Sequence, residues 1–464
     1  MKKTGLFKII MFMLLGIVVI TWLVPAGYFN AGELSDLGKY SIGFFDFFQL
    51  FFSTVEFQYF VQIFVFLVSV GALYGVLAKT GKYRAWLERI ANNLKGKEFL
   101  FLVIVSILIA GLTSAFNYGL LLFIFVPFIS SIILLMGYDK VTACLATIGS
   151  MLIGTIGSTT SYNMVGIVNE QLGGNFTTGL AFKLAMLVFG LAALILYFYK
   201  AKKVKPTEEI LASDMFIGEK ISNKYPVFPI MIVFGLLFVL LVLGCTSWES
   251  SFGITAFADM HATIMNVKIG DYPIVANILG TISAFGEWNL AQMSVMCVLA
   301  AILLGKVYRL SFSQVFDEMG NGAKKMLAPT MLVILAYSVV YFAGNTMFYP
   351  TIANFILNAT EGFNVFFSTI TMFLGSLLHV DMLYVANYVI PQIAAQGASV
   401  PVTALLIQGV YGLTMFVVPS SALLVLGLSY LGISYKEWLT KTWKLIVSLI
   451  VIVLAAIILA MIIL

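Results

Sequence analysis

The sequence predicts an all-α polytopic membrane protein built from inverted repeats, with two re-entrant helical hairpins and two broken transmembrane helices. Three observations predict it. Of 464 residues, 61% are hydrophobic and only 10% charged, where a soluble domain carries about 25% charged residues; most of the chain must therefore face lipid or other buried helices. The apolar runs approach the roughly 20 residues that cross about 30 Å of hydrocarbon as a helix. Four runs are interrupted at mid-length by glycine, hydroxyl, amide or ionisable side chains, where an ordinary span has none.

The elements follow in order. The opening Met1-Lys2-Lys3 and the apolar run after it could mimic a secretory signal, but no small-x-small cleavage site follows, so an uncleaved first span over 6–24 is expected, stopped by Val24-Pro25-Ala26-Gly27-Tyr28. The short aromatic run 44–55 holds Asp46 and Gln49 and suits a helix lying in the interface. A second span covers 57–78, and a basic loop carrying Lys79, Lys82, Arg84, Arg89, Lys95 and Lys97 follows. Residues 99–136 form the first hairpin, its polar tip at residues 111–119 and its arms of roughly 12–17 residues too short to span. A third span starts near Val141 and unwinds over 154–163, a stretch with two glycines, Gly154 and Gly157. Span four is 178–199, ending in Lys200, Lys202, Lys203 and Lys205.

Residues 206–225 read as a soluble linker, 226–244 as span five, and 245–289 as a long, polar, irregular loop. Span six is 290–305. Phe312, Val315, Phe316, Met319 and Ala323 share a face over 311–326, which predicts a surface amphipathic helix before span seven at 327–346. The second hairpin, 364–396, has Gly375-Ser376-Leu377-Leu378-His379-Val380-Asp381 at its tip and one of the two histidines of the chain. Span eight starts near Pro401, breaks at Val418-Pro419-Ser420-Ser421-Ala422 and resumes to Leu431; after a polar stretch at 434–444, span nine ends the chain.

Threaded with the N-terminus inside, this order leaves all but three of the 26 Lys and Arg (Lys39, Lys183 and Lys268) on the cytoplasmic side, a positive-inside bias. After span one, the chain reads interfacial helix, span, hairpin, broken span, span; after span six it reads the same way, inverted by span five. The organisation is then a first repeat at 1–200, a cytoplasmic linker at 201–225, a connecting span and external loop at 226–289, and a second repeat at 290–464. Inverted repeats with discontinuous helices mark secondary transporters that bind at the midplane.

The breaks supply the candidate ligands. They are Thr113, Ser114 and Asn117 in tip one, Ser158, Thr159 and Asn163 in break one with the neighbouring Thr160 and Ser161, Ser376, His379 and Asp381 in tip two, and Ser420 and Ser421 in break two. Donor ends of broken helices suit a substrate carboxylate; carbonyl ends and carboxylates suit Na⁺ or H⁺, the candidate coupling ions, with no other cofactor expected. Each hydroxyl has an alternative, bonding back to its own i−4 carbonyl or packing at a helix crossing. Asp381 at depth requires a partner or a proton. The three cysteines show neither disulfide nor zinc spacing, and HExxH, GxSxG and GxxxxGK[ST] are absent, so the chain does not read as an enzyme. The basic runs beside spans set topology and exclude a nucleic-acid partner. The alternative in another class is a membrane-embedded enzyme or polymerase using Glu249, Asp259, His261, Asp271 and Glu287 in the 245–289 loop.

The chain resembles the ion transporter superfamily, in its branch of anaerobic C4-dicarboxylate carriers and YfcC-like proposed basic amino-acid antiporters. The similarity lies in Leu23-Val24-Pro25-Ala26-Gly27-Tyr28, Met136-Gly137-Tyr138-Asp139, the 154–163 break, Gly322-Ala323-Lys324-Lys325-Met326-Leu327, Pro419-Ser420-Ser421-Ala422-Leu423 and Gly432-Ile433-Ser434-Tyr435-Lys436-Glu437-Trp438. The resemblance implies an elevator-type fold, a homodimer in a bacterial cytoplasmic membrane, and ion- or proton-coupled movement of a small carboxylate-bearing solute, an amino acid or C4-dicarboxylate. It implies that Ser158, Thr159 and Asn163 form one cluster and Ser420 and Ser421 its match. The chain departs from the family at both tips, where relatives carry small or acidic residues and Gly/Ser-rich ones. Asp381 favours a substrate with an amino group, since an ionised aspartate repels a dicarboxylate.

Overall fold

The computed structural model describes residues 2–30, 32–56, 58–201, 203, 216–218 and 225–464. It is nearly all helical. Among the described residues, nine helices are long and apolar enough to cross a membrane, so the chain is a multi-pass integral membrane protein. In order come α1 (Lys2–Leu23), strands β1 (Ala26–Asn30) and β2 (Glu33–Gly38), α2 (Phe44–Glu56), α3 (Gln58–Lys79), α4 (Lys82–Asn93), α5 (Glu98–Phe116), α6 (Val126–Leu135) and α7 (Lys140–Ile156). Then follow α8 (Ile167–Leu172), α9 (Leu180–Tyr199), α10 (Phe228–Cys245), α11 (Trp248–Phe252), α12 (Ala256–Met265), β3 (Lys268–Ile269), β4 (Tyr272–Pro273), α13 (Ile274–Leu279) and α14 (Leu290–Val307). The rest are α15 (Phe312–Thr346), α16 (Tyr349–Leu357), α17 (Val365–Leu378), α18 (Met382–Tyr388), α19 (Ile390–Ala394), α20 (Val400–Val417), α21 (Ala422–Leu431) and α22 (Tyr435–Ile463).

Several expectations are corrected. The chain is not purely α: β1 and β2 pair antiparallel after Pro25 stops α1, with Gly32 at φ +89° in the turn, and β3 and β4 make a second, smaller hairpin. The basic loop after α3 is mostly the helix α4, which buries Tyr83, Leu87 and Ala91. The first arm of the 99–136 hairpin has 19 residues and is long enough to span; the polar cluster lies at its end and not at mid-run. Helix α7 continues through Gly154 to Ile156, so the first break is shorter than expected. The 245–289 segment is largely short helices. The expected linker falls mostly outside the described residues, but Phe216 and Ile217 are buried, the Phe216 ring lying 5.5 Å from that of Tyr74 and 6.2 Å from that of Tyr430.

The surface helix and span seven are one 35-residue helix, α15, about 52 Å long at 1.5 Å per residue. A Ser311–Gln314 capping box starts it, and it runs through Pro329 to Met347, which stands in the left-handed conformation at φ +47°. Its first turns pack against α3 instead of lying in an interface: Lys79 pairs with Glu318 at 3.2 Å, while Phe312 and Phe316 point outward. The crossing depends on glycine. A Cβ on Gly71 would lie 2.7 Å from the Gly322 carbonyl oxygen, and one on Gly322 would collide with the Gly71 carbonyl.

Helices α3, α15 and α20–α21 are the centre of the molecule, with 72%, 78% and 83% of their apolar windows buried, whereas α1, α9 and α22 have fewer than 30%. The central three therefore hold whatever is enclosed, and the outer ones present their apolar sides outward as lipid requires.

Candidate functional site

Four chain reversals and breaks meet near the middle of the fold. At tip one, α5 ends on Asn117, whose left-handed φ of +51° turns the chain into the 3-10 segment Gly119–Ile124. At break one, α7 stops at Ile156, and helical turns resume only from Tyr162. The two are stitched together. Thr159 N–H donates to the Ser114 carbonyl at 2.9 Å, Ser114 Oγ donates to the Gly157 carbonyl at 2.6 Å and meets Thr159 Oγ1 at 3.2 Å. Thr160 Oγ1 donates to the Ala115 carbonyl at 3.0 Å, and Ser158 and Ser161 hydroxyls meet at 2.8 Å.

Tip two and break two are joined in the same manner: Ser420 Oγ donates to the Leu377 carbonyl at 2.8 Å. Pro419 has no N–H to carry the helix across this break, and α21 restarts behind Ser421, an N-cap without a side-chain cap bond. Asp381 caps α18, accepting from Leu383 N–H at 2.9 Å. Tyr411 of α20 donates its hydroxyl to the Val380 carbonyl at 2.7 Å, which fixes the tip against that helix.

Between them is a cavity of about 560 Å³, of a size that encloses a small solute. All four breaks line it, through Asn117, Asn163, Asp381 and Ser421. Thr155, Tyr59 of α3, Tyr337 of α15 and Tyr411 add polar groups, and Trp288 and Asn289 close one end from the 245–289 segment. Among the described residues, Asp381 is the single charged one in the lining. Tyr59, Tyr337 and Tyr411 all stand close enough to feel its charge, and the Tyr59 and Tyr337 rings meet edge-on at 5.9 Å. A separate cavity of about 430 Å³ is walled by apolar side chains such as Leu108, Phe125, Phe128 and Phe234 and offers nothing to orient a polar solute.

The other sequence-derived candidates do not line the cavity. Ser114, Ser158, Thr159 and Ser420 spend their groups on the stitches just described. Thr113 and Ser376 bond back to Ile109 and Met372 carbonyls at 2.9 and 2.7 Å, four residues earlier. His379 is buried with neither ring nitrogen bonded; its ring stacks on Tyr388 and Tyr384 at 5.2 and 6.1 Å and meets Tyr349 edge-on at 5.5 Å. The tyrosines around Asp381 escaped sequence reasoning, because three of 21 tyrosines in apolar runs carry no pattern to separate them from core. In the 245–289 segment, His261 Nε2 meets the Ile282 carbonyl at 2.9 Å and Asp259 accepts from Thr255; both are local contacts.

Nine helices among the described residues long and apolar enough to cross a membrane, with an enclosed cavity whose largely apolar wall carries a few polar groups and the Asp381 carboxylate, define a multi-pass membrane protein. The chain belongs to the C4-dicarboxylate anaerobic carrier family, DcuC, whose model matches residues 4–462. That family is described as one of carriers. The chain is similar to an uncharacterized protein of Haemophilus influenzae, 24% identical over 307 residues, 65% of this chain and 55% of that one. It is also similar to an Escherichia coli protein named "Putative basic amino acid antiporter YfcC", 23% identical over 311 residues, 65% of this chain and 56% of that one. The alignment thus spans little more than half the length of these relatives. Among solved structures it is similar to the Alcanivorax borkumensis YdaH transporter (14% identity, 97% and 96% of the two chains, TM-score 0.38) and Neisseria gonorrhoeae MtrF (9% identity, 98% and 94%, TM-score 0.40).

Proposed function

We propose that this chain is a secondary active transporter whose substrate carries both an amino group and a carboxylate, an amino acid in preference to a C4-dicarboxylate. One observation carries the reading: among the described residues, the cavity that all four breaks line has Asp381 as its only charge and no Lys or Arg. Two unit charges at 4 Å interact by about 4 kcal/mol at an effective dielectric of about 20, so an ammonium is favoured there and each carboxylate of a dianion disfavoured. The faces of Tyr59, Tyr337 and Tyr411 suit the same cation. The carboxylate end would take Asn117 and the amide end of α21 behind Ser421, where an uncapped helix N-terminus favours an anion.

The transporter works as two inverted repeats, each comprising a hairpin and a broken helix, moving together elevator-fashion between the two faces of a bacterial cytoplasmic membrane. In support, each break is bonded to its own hairpin at nearly the same separation along the chain, 45 residues for Ser114 and Thr159 and 43 for Leu377 and Ser420. The N-terminus lies inside, Na⁺ or H⁺ is the coupling ion, and the working unit is a homodimer. Counterflow in proteoliposomes against labelled basic and neutral amino acids and C4-dicarboxylates tests the substrate. Exchange of at least one amino acid with no exchange of dicarboxylates is expected; dicarboxylate exchange without amino-acid exchange overturns the reading.

A further inference from the structure

Away from the central cavity, three neighbouring elements each bury a polar side chain that has no partner. Asn169 of α8 has both amide atoms unbonded, Gln408 of α20 has both unbonded, and Lys183 of α9 has a free ammonium nitrogen. Their exposures are 4%, 0% and 0%. An unbonded buried hydroxyl is a small cost, but an uncompensated ammonium in the interior costs several kcal/mol.

The helix register brings the three to one place. Helix α9 runs antiparallel to α7: a Cβ on Gly190 would lie 3.1 Å from Ile153, and one on Gly157 would lie 2.5 Å from Leu187. The α20–α21 pair is also antiparallel to α7, with a Cβ on Gly427 2.6 Å from Ile148 and one on Gly412 2.6 Å from Ile156. Lys183 is one turn before Leu187, and Gln408 one turn before Gly412. Both therefore stand one turn past the point where α7 stops, flanking the line its axis would have followed. α9 and α20 run parallel there, Leu405 against Gly179 and Met186 against Gly409, at 3.1 and 3.2 Å from the absent Cβ atoms. The returning chain fills the line with α8, whose Asn169 Oδ1 lies 3.0 Å from the Cβ position of Gly174, itself 3.3 Å from Val400 at the start of α20. Long helical side chains lean toward the N-terminus of their helix, which for Lys183 is the Asn169 side.

Among the described residues, no carboxylate on the packed elements pairs with the lysine; Glu98 of α5 pairs with Lys203. Glu170 of α8 accepts from the Tyr162 hydroxyl at 2.9 Å and is exposed. Asp139, at the far end of α7, and Glu437, at the far end of α22, both pair with Lys441. We propose that Lys183, Asn169 and Gln408 form a second site, for a small monovalent inorganic anion of the chloride class. The ammonium supplies one positive charge, hence one negative charge is matched; each carboxamide can turn its NH₂ toward an anion. The close contacts of Gly179 with Leu405 and of Gly412 with Ile156 favour a small ion over a larger one.

The test uses the purified full-length protein and chloride itself. Its melting is followed in NaCl against sodium gluconate at equal ionic strength, and chloride binding is read independently from ³⁵Cl line broadening. The wild type gains a saturable stabilisation in chloride and broadens the ³⁵Cl line; Lys183→Met melts alike in both salts, and Gln408→Leu raises the half-saturating chloride concentration about tenfold. A wild type that neither broadens the line nor melts higher in chloride overturns the proposal, as does a chloride shift that survives in Lys183→Met. Where Lys183→Met does not fold, the Asn169→Leu/Gln408→Leu double variant takes its place, and an unchanged chloride response in it is equally refuting.

Discussion

Replacing Asp381 by Asn separates the two things that this side chain does. As the N-cap of α18 it accepts from Leu383 N–H at 2.9 Å, and asparagine caps about as well as aspartate, so the fold should lose less than about 0.5 kcal/mol. As the only charge that the described residues place on the cavity wall, it should contribute most of the attraction for an amino group. At about 4 Å and an effective dielectric of about 20 that attraction is roughly 4 kcal/mol, and a partly wet cavity reduces it to about 2. The expected loss of affinity is therefore roughly 30- to 1,000-fold. Counterflow and equilibrium binding with the amino acid that the wild type exchanges measure it, and a melting curve in detergent controls for folding. Unchanged transport and affinity in a normally melting Asp381→Asn protein would refute the assignment of Asp381 to the substrate. Asp381→Ala, which also loses the cap, should cost about 1 kcal/mol more in stability.

Other perturbations address the framework. Ser114→Ala removes the bonds to the Gly157 carbonyl and to Thr159 and leaves buried acceptors unpaired, so it should cost roughly 1–3 kcal/mol in a detergent melt and depress transport of every substrate equally. Gly322→Val puts atoms onto the Gly71 carbonyl and should cost at least about 3 kcal/mol, seen as loss of monodisperse protein in size-exclusion chromatography. Burial raises the Asp139 carboxyl, but the Lys441 ammonium at 2.7 Å and the Thr142 N–H and hydroxyl outweigh it and hold Asp139 below the usual carboxylate range. A depressed carboxylate stabilises above its unfolded value of about 3.9 and loses that contribution as pH falls through the folded one. The stability gap between wild type and Asp139→Asn should accordingly stay constant from about pH 5 to 8 and close only below about pH 4.

Much of the site was legible because breaks in apolar runs are local facts. Asn117, Asn163, Asp381 and Ser421 stand out by residue type in sequences that should hold only apolar side chains. Their neighbours could not be sorted in the same way. Ser420 and Ser421 are adjacent, yet one bonds to Leu377 and the other faces the cavity. His379 and Asp381 lie two apart, yet one is packed among tyrosine rings while the other faces the cavity. Which member of such a pair faces inward depends on where a turn places its side chains, and composition does not carry that. The division of α15 into two pieces failed for a related reason: a change of polarity along a helix marks a change of surroundings, not an end, and neither Gly320 and Gly322 nor Pro329 stops the helix.

The sequence by itself determined that this chain lives in a bilayer and which apolar runs are interrupted, because each depends on the composition of a contiguous stretch; helix lengths and the limits of the breaks it did not. Only the tertiary structure decided that the four breaks share one cavity, that Asp381 is the sole charge the described residues place on its wall, and that three tyrosines from separate helices line the same cavity. Those are relations between residues far apart in the chain, and they are set by helix register at glycine contacts such as Gly71 with Gly322 and Gly412 with Ile156, where the absence of one side chain fixes the depth of every other.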